Sequence, residues 1–295
     1  TGAPYINGGE VQNKGVEVGL SWNDNIADFR YGVNVNMAYN KNVVTKIANG
    51  EGIIYGPNDV LDQNTGYLFL AQEGYPIGYF YGYKTNGIFQ NAEQVANTEA
   101  KVVDAAPGDL IFVDTDKDGD IDSDDRTMLG NPHPDVNLGF GLNMEYKGFD
   151  FSITANGAFG HQIAQSYRPQ TNKLYYNYTK QMMDERWHGE GTSNTFPRLG
   201  NAANFNKVSD IYIQDADYVR IQNITLGYDF KRLWKKSPLK QMRLYLSLQN
   251  WFTFTGYDGF DPAVGYGGGT DWASGVDLGF YPSAKSFIIG ANLKF

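Results

Sequence analysis

The chain has 295 residues, of which 41% are hydrophobic and 15% are aromatic, and it carries a net charge of −9 and no cysteine. The lack of cysteine excludes disulfide bonds and thiol chemistry, and the negative charge argues against a surface that neutralises nucleic-acid phosphates. No apolar run approaches the ~20 residues of a membrane-spanning helix, so a membrane location would require strands.

Alternating apolar and polar side chains predict a series of long amphipathic strands. In chain order they occupy residues 16–22, 29–39, 136–146, 149–159, 218–230, 243–254 and 285–295. The apolar phase changes near Asn223, which predicts a β-bulge, because one extra residue moves the following side chains to the other face. A length of roughly 10 to 13 residues suits a tilted transmembrane strand better than a sandwich strand of about 5 or 6.

The connections between these strands alternate in length. Short ones lie at 23–27, 147–148 and 231–241, and long ones at 40–135, 160–217 and 255–284. Bacterial outer-membrane barrels have short periplasmic turns and long outer loops, so this pattern predicts an all-β transmembrane barrel with its C-terminus in the periplasm. The alternation holds if the longest connection contains an even number of further strands.

The final strand ends on an aromatic residue. Its apolar face ends with Leu293 and Phe295, as expected for a barrel-closing strand with an aromatic side chain at the membrane interface. A terminal strand of a soluble β-sandwich is the alternative. Seven visible strands is an odd number, whereas single-chain bacterial barrels have an even number, so we expect the missing strands to precede Thr1.

An acidic segment at residues 114–125 fits a twelve-residue calcium-binding loop, with Gly119 at the sharp turn and Asp125 where glutamate is usual. The expected Ca²⁺ ligands are Asp114, Asp116, Asp118, Asp120, Asp122 and Asp125. Residues 110–113 predict a strand rather than an EF-hand helix. The segment therefore predicts a structural calcium staple rather than a sensor, and a solvated acidic loop is the alternative.

The sequence offers no catalytic motif, so we expect no enzyme. His133 lies between two prolines and is expected to be a loop residue. The loop aromatics Trp187, Trp251, Trp272, Tyr257, Tyr266 and Tyr281 are expected mainly to form an interfacial girdle and pack in loops. Arg168, Arg198 and some of these aromatics are candidate substrate contacts, but the sequence does not rank them.

Several short motifs resemble the C-terminal region of the SusC/RagA family of TonB-dependent outer-membrane transporters of Bacteroidetes. They are GNP at 130–132, YKGFD at 146–150, RW at 186–187, GEGT at 189–192, PR at 197–198, YVRIQNITLGY at 218–228, LY at 244–245, QN at 249–250, FT at 254–255, DGFDP at 258–262, YP at 281–282 and GANLKF at 290–295. The Asp-rich loop also resembles one that the family often carries. The resemblance covers nearly all of residues 1–295.

The resemblance implies a 22-stranded barrel, an N-terminal plug domain and a TonB box, of which this chain contains neither the plug nor the box. It also implies a SusD-like surface lipoprotein as partner, energy from the TonB–ExbB–ExbD complex, and import of oligosaccharides or peptides. Phe295 would then be a barrel-assembly signal. A passive porin and a soluble carbohydrate-binding β-domain are the alternative functions.

Overall fold

The computed structural model describes residues 8–62, 64–167, 177–200, 202–266 and 268–295. The strands are β1 (Gly9–Ile26), β2 (Phe29–Ile47), β3 (Ile53–Tyr55), β4 (Phe69–Gln72), β5 (Tyr79–Tyr83), β6 (Thr85–Ile88), β7 (Leu110–Phe112), β8 (Arg126–Gly130), β9 (Val136–Tyr146), β10 (Phe149–Phe159), β11 (Gln162–Gln165), β12 (Ile213–Asp215), β13 (Tyr218–Asp229), β14 (Gln241–Thr255), β15 (Val276–Asp277) and β16 (Ser286–Lys294). The α-helices are α1 (Ala92–Asn97) and α2 (Lys180–Glu185), and the 3-10 helices are Ala202–Asn204, Asp210–Tyr212 and Phe230–Arg232.

Seven long strands form one antiparallel sheet, which we call the wall sheet. Its order is β1-β2-β9-β10-β13-β14-β16, so each long strand pairs with the long strand before it and the long strand after it in the chain. This confirms the predicted strands. The bulge near Asn223 is also confirmed, because Thr154 lies opposite Asn223 while Ala155 lies opposite Ile221, which leaves Gln222 as the extra residue.

The first two strands are longer than predicted, at 18 and 19 residues, so the connection predicted at 23–27 shortens to residues 27–28. The apolar alternation ends before the strands do, but backbone pairing continues through a polar stretch in which Asn13 lies opposite Asn42. There the Asn13 Oδ1 atom accepts hydrogen bonds from the amides of Asn40 and Asn42, at 3.2 and 2.9 Å. The alternation in the sequence therefore predicts only the part of each strand that carries apolar side chains, and not the full length over which the two backbones pair.

All three short connections lie at one end of the wall sheet, and all three long ones lie at the other. The short ones are residues 27–28, 147–148 and 230–240. Lys147 and Gly148 both have positive φ angles, of 45° and 93°, as the tightest antiparallel hairpin requires. The described part of the longest connection, which lacks residue 63, contains six short strands, an even number, so the predicted alternation is preserved.

The two faces of the wall sheet differ in chemistry. One face carries exposed apolar side chains on every strand, including Leu20, Phe140, Leu226 and Ile289. The other carries asparagine, serine, threonine, glycine and charged residues. Asparagine side chains occupy the space beside glycines of the neighbouring strand, and a Cβ added to Gly141 would come within 2.3 Å of Asn34 Oδ1. The glycines on this face therefore make room for polar side chains.

The long connections, residues 48–135, 160–217 and 256–285, fold together into what we call the loop domain. It contains three small sheets, with orders β3-β4-β5-β8, β6-β7 and β12-β11-β15. Most of the buried apolar residues among those the structure describes lie here, including Leu61, Phe69, Phe80, Val208 and Tyr212. Only β7 among these strands was predicted from the sequence, because strands of two to five residues are too short to show an alternation of apolar and polar side chains.

Among the described residues, no helix has the length and apolarity needed to cross a membrane.

Candidate functional site

The candidate site consists of the polar face of the wall sheet and the loop domain above it. At the end with the short connections, a cavity of about 680 Å³ lies against this face and is lined by charged residues of several strands. Arg243 of β14 pairs there with Asp150 of β10 through two hydrogen bonds, with Nε to Oδ1 at 2.8 Å. The intervening strand β13 contributes Gly227, where a Cβ would lie 2.4 Å from Asp150 Oδ1. Glycine at this position therefore permits an ion pair that bridges two strands across a third.

A second ion pair fastens the loop domain to the opposite end of the wall sheet. Arg220 of β13 is 9% exposed, and it donates to Thr253 Oγ1 at 3.0 Å, to Ser283 Oγ and to Asp261 Oδ1. Asp261 also accepts the backbone N–H groups of Ala263 and Ser283, each at 3.0 Å. Burial alone would raise the pKa of Asp261, but the hydrogen bonds from Arg220, Ala263 and Ser283 outweigh it and lower the pKa to about 2.

A third ion pair lies inside the loop domain. The Asp109 carboxylate is fully buried and accepts from Arg198 Nε and Nη2, from Asn204 Nδ2 and from the backbone N–H of Ala106, at 2.7 to 3.1 Å. The hydrogen bond with Asp109 raises the pKa of Arg198. Arg198, proposed from sequence as a substrate contact, therefore has a structural partner. Arg168 lies outside the described residues.

Asp277 forms a second buried carboxylate anchor. It is 1% exposed, and its Oδ2 atom accepts from the hydroxyls of Tyr167 and Tyr257, at 3.0 and 2.7 Å. Its Oδ1 atom accepts the backbone N–H of Gly279 at 2.9 Å. Burial, followed by the Asp277 carboxylate, raises the pKa of Tyr257. These contacts join the connection after β11 to the connection after β14.

The acidic loop, residues 114–125, brings together three of its six predicted ligands. Carboxylate oxygens of Asp114, Asp116 and Asp118 lie within 4.8 Å of one another. Partial loss of hydration raises the pKa of Asp116, and repulsion from the neighbouring carboxylates, mainly that of Asp118, raises it further. Asp114 Oδ2 accepts the backbone N–H of Gly119, whose φ is 95°, and so closes the turn. Oxygen ligands at this density suit a hard cation such as Ca²⁺.

The other three predicted ligands lie outside that group. Asp120 and Asp122 belong to the second half of the loop, where Asp124 N–H donates to Asp122 Oδ1 at 2.8 Å. Asp125 is buried, and its oxygens accept the backbone N–H groups of Thr115 and Asp122, at 2.6 and 2.9 Å. Asp125 therefore joins the two ends of the loop.

The loop histidine and aromatics have mostly structural contacts. His133 is a loop residue, as predicted, with Nε2 3.0 Å from the Ile77 carbonyl, and burial lowers its pKa. Trp272 packs against two apolar clusters of the loop domain, and Trp251 donates to the Ser286 carbonyl at 2.9 Å. Tyr281 is 92% exposed, which leaves it the most accessible of the predicted set.

Sequence reasoning did not identify Asp109, Asn204, Asp277 or Tyr167. The side-chain partners of Asp109 and Asp277 lie 20 to 110 positions away, so no local motif reveals them. Gly108 precedes Asp109, Gly279 lies two residues after Asp277, and both have positive φ angles, so glycine was a local sign of a constrained turn near each anchor.

Nearly the whole chain is similar to part of several TonB-dependent receptors. TonB-dependent receptor P3 of Formosa agariphila is 33% identical over 295 residues, a match that covers 97% of this chain and 29% of the receptor. TonB-dependent receptor SusC of Bacteroides thetaiotaomicron is 29% identical, and the match covers 97% of this chain and 27% of SusC. The chain therefore spans less than a third of the length of these relatives. No protein-family model matches it.

The fold is similar to that of a known transporter structure. The RagAB peptide transporter structure superimposes with a TM-score of 0.75 at 22% identity, covering 99% of this chain and 30% of the transporter chain. A structure of the RagAB peptide importer in its open-open state gives a TM-score of 0.72. The all-β fold is thus that of part of a TonB-dependent transporter barrel. The matched proteins are receptors and transporters, in agreement with the prediction that the chain is not an enzyme.

Proposed function

We propose that this chain, which is SusC/RagA-like along its length, forms part of an outer-membrane transporter that imports peptides or oligosaccharides with energy from TonB. The observation that carries the proposal is the wall sheet, which has one exposed apolar face and one polar face, with every long connection at the same end. The similarity to TonB-dependent receptors over 97% of the chain supports active import over the passive porin.

In this proposal the apolar face contacts lipid, and the polar face lines the lumen. The short connections and the C-terminus lie in the periplasm, and the loop domain lies outside the cell. The loop domain would help to enclose substrate that a SusD-like surface lipoprotein delivers. The polar face would surround the plug domain, which TonB–ExbB–ExbD moves through a TonB box elsewhere in the polypeptide.

The two strands at the edges of the wall sheet indicate that further strands complete the barrel. β1 and β16 each pair with only one strand of the described chain. In lipid, an open edge leaves backbone groups unpaired at a cost of several kcal/mol each. We expect the rest of the polypeptide to pair with both edges and to complete the proposed 22-stranded barrel.

We propose that the acidic loop binds Ca²⁺ as a structural staple. Asp114, Asp116 and Asp118 would hold the ion, which offsets the repulsion among their carboxylates when bound. In the full-length protein, calcium should protect residues 114–125 from proteolysis, and an Asp118→Asn variant should lose that protection. Asp124→Asn is the matched control, since it removes a charge from the same loop at a position that the calcium pattern does not use. Identical cleavage in calcium and in chelator would contradict the staple.

Uptake by whole cells tests the import proposal. Cells with the full-length protein should take up a fluorescent peptide or oligosaccharide only when the TonB box is intact, and deletion of the box should abolish uptake without changing surface levels. Uptake that persists without the box would indicate the passive porin. A protein that stays soluble without detergent, with gel mobility independent of heating, would indicate the carbohydrate-binding domain.

A further inference from the structure

The loop domain contains a groove of about 470 Å³ between two of its small sheets. One side consists of the last three residues of β8, Met128 to Gly130, and the other consists of β12. Gln162 and Asp210 complete the lining. The groove is distinct from the acidic loop and from the cavity at the short-connection end of the wall sheet.

Both sides of the groove are strands at the ends of their sheets. β8 is the last strand of the order β3-β4-β5-β8, and β12 is the first of the order β12-β11-β15. A strand at the end of a sheet presents a row of backbone N–H and C=O groups that a further strand can pair with. An extended peptide offers the complementary row, and this is how sheet edges recognise peptides by strand addition.

Backbone and side-chain hydrogen bonds join the two sheets at one end of the groove. The backbone N–H of Gln162 donates to the Asn131 carbonyl, and the backbone N–H of Asn131 donates to Gln162 Oε1, both at 2.8 Å. Gln162 Nε2 also donates to Asp215 Oδ1 at 3.0 Å. Next to the groove, Asp210 accepts the backbone N–H of Thr85 at 3.0 Å and the hydroxyl of Thr85 at 2.6 Å, which holds its carboxylate in place. These hydrogen bonds order one end of the groove before a peptide binds, which lowers the entropic cost of binding.

The lining chemistry favours a peptide with basic side chains. Met128, Leu129 and Ile213 provide apolar contacts, and Asp210 and Asp215 provide negative charge. Within the described part of the chain, neither a cationic side chain nor an aromatic ring lines the groove. Charge complementarity therefore selects lysine or arginine, and the groove has no aromatic face on which a sugar ring could stack.

We infer that this groove binds an extended, basic peptide by strand addition to its flanking strands. The inference rests on the proposed import function and assigns peptide as its substrate class. The peptide main chain provides affinity, and its cationic side chains reach Asp210 and Asp215.

Binding to the purified full-length transporter in detergent tests the inference. The probe is a fluorescent hexapeptide of alternating lysine and valine. N-methylation of alternate backbone nitrogens should weaken its binding by at least about tenfold, because several main-chain hydrogen bonds are lost. A glutamate-valine hexapeptide should bind more weakly than the lysine peptide. A photoreactive group at the centre of the probe should crosslink to residues 126–130 or 213–215.

The matched variants are Asp215→Asn and Glu93→Gln. Asp215→Asn keeps an oxygen for Gln162 but removes the charge, and it should weaken binding of the lysine peptide about two- to fivefold. Glu93 is exposed on α1, away from the groove, so its variant should bind normally. Equal affinity for the methylated and unmethylated peptides, or crosslinks elsewhere, would overturn the inference. If cells with the full-length protein showed no TonB-dependent uptake of any peptide or oligosaccharide, the proposed function itself would be overturned.

Discussion

We predict that the ion pair between Arg220 and Asp261 stabilises the contact between the connection after β14 and the wall sheet. Asp261→Asn removes the negative charge that faces the nearly buried Arg220. The pKa of Asp261 lies at about 2 instead of 3.8, and such a shift corresponds to about 2.4 kcal/mol. Solvent screening at its partly exposed edge reduces this to roughly 1–2 kcal/mol of local stability.

Hydrogen exchange of the full-length protein in detergent measures this loss. The backbone N–H groups of Ala263 and Ser283 donate to Asp261, so both should exchange roughly 5- to 30-fold faster in the variant at neutral pH. Asp271→Asn, an exposed acid in the same connection, should leave both rates unchanged. Unchanged exchange at both amides in Asp261→Asn would refute the reasoning.

The same pair has a defined pH dependence. A carboxyl whose folded pKa is lowered stabilises the protein fully above its ordinary pKa of 3.8, and this stabilisation is lost as the pH falls towards 2. Pepsin is active in this range, so cleavage within residues 256–285 should rise in the wild type between pH 4 and pH 2. Asp261→Asn should already be cleaved at pH 4, and an equally steep acid response in the variant would contradict the assignment.

Three further changes test the remaining contacts. Asp109→Asn should destabilise the loop domain by about 3 kcal/mol, because it leaves Arg198 without its carboxylate; limited proteolysis measures this, with the exposed Asp104→Asn as control. Gly227→Ala should cost about 1–3 kcal/mol by displacing the Asp150–Arg243 pair, measured as the temperature at which folded gel mobility is lost. Gly19→Ala, whose Cβ would meet nothing within 4 Å, should retain the wild-type value. Deletion of Phe295 should lower surface levels with little change in substrate preference, and normal levels would contradict its assembly role.

The wall sheet could be predicted from the sequence because its strands face two different environments. Each strand has one apolar and one polar face, so its side chains alternate, and even the single extra residue at Gln222 was visible as a change of phase. The ends of β1 and β2 could not be predicted in this way. They extend beyond the apolar band, where Asn13 lies opposite Asn42 on one face and Lys14 lies opposite Lys41 on the other.

The loop domain could not be predicted, because its strands are short and its core is assembled from three distant segments. Phe69, Val208 and Val276 belong to three different connections but lie in one apolar cluster. No window of sequence contains that cluster, and a strand of three residues has too few side chains for a period to be recognised. The calcium prediction for the acidic loop could be made from the sequence because the pattern is local: its aspartates and Gly119 lie within twelve consecutive residues.

Three ion pairs of the structure could not be predicted from the sequence. Arg220 and Asp261 are 41 positions apart, Asp109 and Arg198 are 89 apart, and Asp150 and Arg243 are 93 apart. A local pattern cannot match such partners, since any arginine of the chain could face any aspartate. In the structure each pair joins segments that are distant in the chain: β10 with β14 across a third strand, two connections within the loop domain, and the loop domain with β13. Because buried or half-buried pairs lose much of their stability when one partner is removed, the Arg220–Asp261 pair holds the loop domain to the wall sheet, and the other two pairs stabilise the loop domain and the wall sheet internally.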